Sequence, residues 1–190
     1  MEIFTRKWSE MSGNSFCPEY YHYERDEVVK KLKEKYKNNL FTLKNLVDFS
    51  SQKSTAKNVE KYIGMANIES NTSLYIDSNE DKGQGDCHLF NRGEILFNKL
   101  RPYLNKVYLA EFSGGCSTEF VVFKSKDEQK ISNKFLSIFL FLDCVVNQTK
   151  HLMTGNTLPR LQTFDIENLL IPIPPKEIQD QIIDIMDNAY

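Results

Sequence analysis

Apolar positions along this chain fall into helical spacing first, then strand-like alternation, then helical spacing again. Val28, Val29, Leu32 and Tyr36 predict an amphipathic helix over residues 24–37, whose opposite face carries Lys30, Lys31, Lys33, Lys35 and Lys37. A short second helix is predicted over 42–47, with Thr42 as its cap. Ser50, Ser51, Gln52, Lys53, Ser54 and Thr55 follow as a polar loop without a core-forming residue. Strands are predicted over 61–68, 73–76, 94–98, 106–112 and 118–124, separated by Gly83, Gly85, Gly93, Gly114 and Gly115. Ser132 then caps a long helix predicted over 133–148. Ten of the twelve positions from 135 to 146 are apolar, so this helix is expected to be buried on nearly all sides. A glycine loop over 154–160 precedes the run Leu169-Leu170-Ile171-Pro172-Ile173-Pro174-Pro175, whose double proline can open a final helix over 176–190. That helix carries Ile178, Ile182, Ile185 and Ala189 on one stripe; about fifteen helical residues are marginal alone, so the stripe needs the domain or a partner to lie against. Residues 1–23 show no countable period and read as an N-terminal arm.

With 190 residues, 41% apolar, 12% aromatic and 26% charged, the chain has the composition of one globular domain, not of a disordered or collagen-like one. The longest unbroken apolar run, residues 138–142, is far short of the roughly 20 residues a membrane-spanning helix needs. The first twenty residues show no stretch of signal-peptide type, which together with the cysteine spacing predicts a cytoplasmic protein with free thiols. Cys17, Cys87, Cys116 and Cys144 have no zinc-knuckle spacing, and His22, His88 and His151 are as widely scattered, so no metal site is expected. The net charge of −2 hides a gradient. Residues 165–190 carry six acids and one base, leaving 23 bases and 20 acids, or +3, over residues 1–164. That balance permits a polyanionic partner without demanding one.

Enzyme chemistry finds little support. There is no Gly-x-Ser-x-Gly turn, no phosphate-binding glycine loop ending in Gly-Lys-Ser/Thr, no Asn/Asp-Pro-Pro-aromatic tetrapeptide of adenine methyltransferases and no glycine-rich cofactor turn. A small metal-dependent nuclease stays open as an alternative, with Glu119 and Lys124, or Asp86, Glu94 and Lys99, as candidates; so does a protein-interaction module using the C-terminal helix. The densest polar constellation runs from Arg92 to Lys106. Its apolar start, Ile95 to Phe97, belongs in the core, and from Asn98 onward bases and amides alternate with Leu100, Pro102 and Tyr103. Arg101 can contact guanine or a phosphate in bidentate fashion, and Asn98 and Asn105 can pair with adenine edges, which makes this a candidate readout loop.

Three segments in order, Tyr62-Ile63-Gly64-Met65-Ala66-Asn67-Ile68, Gly93 to Lys106 and Ser117-Thr118-Glu119-Phe120, resemble the target recognition domain of type I restriction-modification specificity subunits. Thr154-Gly155-Asn156-Thr157-Leu158-Pro159-Arg160-Leu161, then Ile171 to Pro175 with Glu177, Gln181 and Ile182, is similar to that family's exit into its spacer helix. The resemblance implies an α+β fold, a single domain with a twisted, partly rolled β core, flanking helices and a C-terminal helix stub. It divides the chain into an arm (1–23), a recognition domain (24–175) and the start of a spacer helix (176–190). It implies a non-catalytic subunit that reads double-stranded DNA for separate methyltransferase subunits and a restriction subunit, with S-adenosylmethionine, ATP and magnesium on those partners and no cofactor of its own. The DNA-binding residues it implies are Lys99, Arg101, Asn105 and Lys106 with Asn98 in the basic loop, Gly155, Asn156, Thr157 and Arg160 in the glycine loop, and Gln52, Lys53, Ser54 and Thr55 in a variable reading segment. Ile178, Ile182 and Ile185 would meet a partner helix. Family members commonly carry two recognition domains, so a second copy or second domain is a further expected partner, and the chain reads as a half-subunit, a truncated product or an expressed piece.

Overall fold

A computed structural model describes residue 5 and residues 21–78, 83–155 and 157–189. The expected arm lies almost wholly outside these residues, as does Asn156. Helix α1 (Tyr23–Tyr36) is followed by β1 (Leu40–Thr42), α2 (Leu43–Leu46), β2 (Val47–Phe49), β3 (Lys53–Thr55) and β4 (Tyr62–Ile63). The strand-rich middle continues through β5 (Asp86–Phe90), β6 (Ile95–Asn98), β7 (Val107–Leu109), β8 (Gly114–Ser117) and β9 (Phe120–Ser125). Three helices, α3 (Asn133–Leu140), α4 (Asp143–Thr149) and α5 (Thr163–Glu167), precede β10 (Leu170–Pro172) and α6 (Lys176–Ala189).

The four residues of β6 are all buried, so this strand lies inside on both faces. Its side chains alternate between two cores. Ile95 and Phe97 join Leu43, Phe123, Leu136, Leu140 and Ile171 on the helical side. Leu96 instead joins Ile63, Phe90, Tyr108, Phe120 and Val122 on the other. The sheet β2-β9-β6-β7 is therefore a middle layer between the helices and a second sheet, β3-β5-β8-β4. The first sheet is antiparallel throughout, and the second has one parallel pair, β4 with β8. β1 and β10 pair antiparallel, tying the start of the domain to its exit. The result is mixed helix and sheet without a closed barrel, the α+β architecture the sequence predicts.

Several expected elements take a different form. The stretch 61–68 is a strand only at β4 and then a 3-10 turn, Met65–Asn67, because Asn67 turns inward: its Oδ1 accepts from Gly64 N at 2.8 Å and its Nδ2 donates to Ile76 O and Ser78 O. Residues 73–76 keep only the bridge from Ile68 to Tyr75. Lys53–Thr55 is an edge strand, not a loop, paired with β5. Strands β5 and β8 lie outside the predicted strands, and in β8 Gly114 and Gly115 have the pattern of turn residues. In β8 the glycines serve close packing: a Cβ at Gly114 would sit 2.5 Å from Lys61 O. Thr42 does flank α2, but its side chain makes no capping bond.

The long apolar helix breaks in two. Leu142 is extended (ψ 149°) and starts α4, with Asp143 in the first turn, where its charge complements the helix dipole. The break leaves Leu142 46% exposed while Leu140 and Val145 are both buried, which one straight helix would not present in this way. Ser132 caps α3 as expected, accepting from Phe135 N.

Candidate nucleic-acid interface

β6 runs out of the core at Asn98, and the chain makes a tight excursion before returning as β7. Asn98 is 2% exposed, and its amide does not face solvent: Oδ1 accepts from Leu100 N at 2.8 Å and Nδ2 donates to Leu100 O at 2.6 Å. Arg101 and Asn105 both adopt left-handed backbone (φ 49° and 47°) on either side of a 3-10 turn, Pro102–Leu104. Asn tolerates that region; for Arg it is uncommon and strained. Asn105 is also buried, and its Nδ2 donates to Phe141 O at 2.7 Å, satisfying a carbonyl at the end of α3 next to the helix break. Lys106 Nζ donates to Met65 O at 2.6 Å, and burial lowers its pKa from the usual lysine range.

The glycine loop lies against this excursion. Leu100 and Thr154 each form a bridge with Arg160, Arg101 N donates to Pro159 O at 2.8 Å, and Leu161 N donates to Lys99 O. Gly155 has φ +99°, so a side chain there would strain the backbone. Arg160 is committed inward. Its guanidinium meets both oxygens of Glu119 at 2.7–3.0 Å, and this ion pair raises its pKa further. Nη1 donates to Leu158 O.

The structure thus divides the expected DNA-binding residues. The side chains of Asn98, Asn105, Lys106 and Arg160 each bond within the protein, so in this structure they brace the two loops. Gly155 and Thr157 are exposed beside that scaffold, with Lys99 and Arg101 half-buried next to them. Arg101 is the exception to its satisfaction, because Nε is buried without a partner and Nη2 reaches Thr157 O only at 3.4 Å. Gln52, Lys53, Ser54 and Thr55 are not hydrogen-bonded to this cluster. They form and flank β3, where Lys53 and Thr55 are exposed, Ser54 is half-buried, and Gln52 O accepts from Leu89 N. Sequence reasoning missed Glu119 as the clamp on Arg160 and Tyr103 as a 46% exposed aromatic at the crest of the turn. The spacing of Tyr103 between Arg101 and Asn105 was a usable signal; nothing local in sequence pairs Glu119 with Arg160.

The nuclease candidates do not assemble. Glu119 is neutralised by Arg160, and Glu94 is 8% exposed and accepts from Asn91 N at 2.8 Å as a turn cap. The last helix presents its apolar residues in two directions. Ile182 packs on the core, as does Ile183, and Gln179 is fully buried, bonded to Lys130 O and Pro174 O. Ile178 and Ile185 are 42% and 67% exposed. The expected stripe is therefore split: Ile182 belongs to the domain, and Ile178 and Ile185 are what it leaves outward.

Residues 24–190 match the profile of the type I restriction modification DNA specificity domain, and the chain belongs to that family. The type I restriction enzyme EcoDI specificity subunit of Escherichia coli is 28% identical over 149 residues, covering 78% of this chain and 31% of that subunit. The chain thus spans about a third of the length of this curated relative. In fold it is similar to the HsdS subunit from Thermoanaerobacter tengcongensis (TM-score 0.63, 22% identity, 79% of this chain and 41% of that one). It is also similar to the type I restriction-modification S subunit from M. genitalium (TM-score 0.56, 16% identity, 78% and 37%).

Proposed function

We propose that this chain is a target recognition domain that reads double-stranded DNA for catalytic subunits carried on other chains. The observation that supports it most is Arg101. Its exposed Nη2 has only a weak bond to Thr157 O at 3.4 Å, and Arg is the side chain suited to bidentate contact with guanine or phosphate. Lys99 two residues before it adds a second base, and Gly155 and Thr157 in the glycine loop are exposed. In this reading residues 24–175 are the recognition domain and α6 begins a spacer helix whose outward Ile178 and Ile185 meet another helix. Its partners are methyltransferase subunits and a restriction subunit, with a second recognition domain or a second copy completing a bipartite site. S-adenosylmethionine, ATP and magnesium belong to those partners, and the setting is cytoplasmic. Among the described residues no helix is long and apolar enough to cross a membrane.

Binding of Arg101→Ala and Lys99→Ala chains to a preferred duplex and to random DNA across salt concentrations tests this. Arg101→Ala is expected to cost about 1–3 kcal/mol on the preferred site and less on random DNA, while Lys99→Ala weakens both alike and lowers the salt slope by about one. Equal losses for Arg101→Ala on both duplexes would make it a phosphate contact only.

A further inference from the structure

One side-chain cluster takes no part in the DNA reading. It sits where the first turn of α1 meets the turn after α4. The His22 and His151 rings stack with centroids 3.4 Å apart and planes 13° from parallel. His151 Nε2 lies 2.6 Å from Glu24 Oε2, and Lys150 Nζ reaches the same oxygen at 2.6 Å. One ligand atom from each of His22, Glu24 and His151 falls within 4.8 Å of the others, and all three residues are half-buried. Two imidazoles and a carboxylate form the donor set that zinc-class ions prefer, and donors around such an ion at roughly 2.0–2.2 Å must converge on this scale.

We infer that His22, Glu24 and His151 form a binding site for a divalent zinc-class cation that pins α1 to the end of α4. In the metal-free chain the ammonium of Lys150 shares the Glu24 carboxylate; the cation takes its place after a small rotation of the imidazoles out of their stack. The neighbouring contacts hold the two elements in position for this. Arg25 Nε donates to Gln148 O at 3.2 Å, and the Gln148 amide bonds both Leu170 N and Leu170 O across to β10. Positive charge at this point also complements the C-terminal end of α4. Among the described cysteines, burial raises the thiols of Cys87, Cys116 and Cys144, so none competes as a ready thiolate. A cation here would fix the lysine-rich helix α1 relative to the rest of the domain.

The test uses the full chain with Zn²⁺ and Co²⁺ as probes and no DNA. Competition with a chromophoric chelator should give one zinc per chain, and cobalt should give d–d absorption without a thiolate charge-transfer band. His22→Ala and His151→Gln should each weaken zinc by more than about a hundredfold, beyond the effect of losing a ligand's supporting partner. His88→Ala, remote in the fold, should leave it unchanged. His151→Gln retains a donor towards Glu24, so its melting temperature without zinc should match the parent while the zinc-induced rise disappears. No zinc uptake, a thiolate band, or uptake indifferent to His22 and His151 would overturn the site.

Discussion

Arg101 and Asn98 stand three residues apart and do opposite work. Asn98 uses its whole amide to close the turn on Leu100, so Asn98→Ala should destabilise the domain by about 1–3 kcal/mol in urea or thermal unfolding, with weakened DNA binding as a consequence. Arg101 leaves Nε unsatisfied, so Arg101→Ala should cost no stability and should act on binding alone. Arg160 behaves as Asn98 does. Arg160→Ala frees Glu119 and loosens the bridge to Thr154, which should appear as a lower melting temperature and faster amide exchange over residues 154–160. Amides and bases in a polar turn look alike in sequence, and only the partner decides which are scaffold. Those partners, Phe141 for Asn105, Met65 for Lys106 and Glu119 for Arg160, lie 36 to 41 positions away. That separation is why the composition of the loop was legible and its division of labour was not.

Elements with strong periodicity were legible, and those fixed by tertiary contacts were not. Helix α1, β6, the start of α3 and the proline-opened α6 all fall where the apolar pattern puts them. β8 escaped because glycines that normally signal a turn are needed there for close approach to Lys61. Gly114→Ala should therefore destabilise the second sheet, measurable as a fall in melting temperature, where a turn glycine with open space would tolerate alanine. The break between α3 and α4 escaped because periodicity in a run apolar on all sides carries no phase. On α6 the split stripe gives a direct contrast. Ile182→Asp should destabilise the isolated chain, since this side chain packs on the core, whereas Ile185→Asp, 67% exposed, should leave its melting temperature unchanged and weaken assembly with a partner helix. Equal thermal effects would remove the distinction between domain face and partner face.

At the scale of the whole molecule, a net charge of −2 combines a mildly basic stretch over residues 1–164 with an acidic one over residues 165–190, so the proposed recognition and spacer segments differ in sign. The three layers put the helices on one side of the middle sheet and the second sheet on the other, and set the turn after β6 against the glycine loop. That pair of loops is where sequence reading is expected. Selection from a random duplex pool, with this chain and its cognate methyltransferase subunits together, measures it most directly. Enrichment of one defined sequence, lost with Arg101→Ala but retained with Ile185→Ala when assembly is driven by excess partner, is the predicted result. A pool that stays random, with methyltransferase subunits present and the chain folded, would contradict the account.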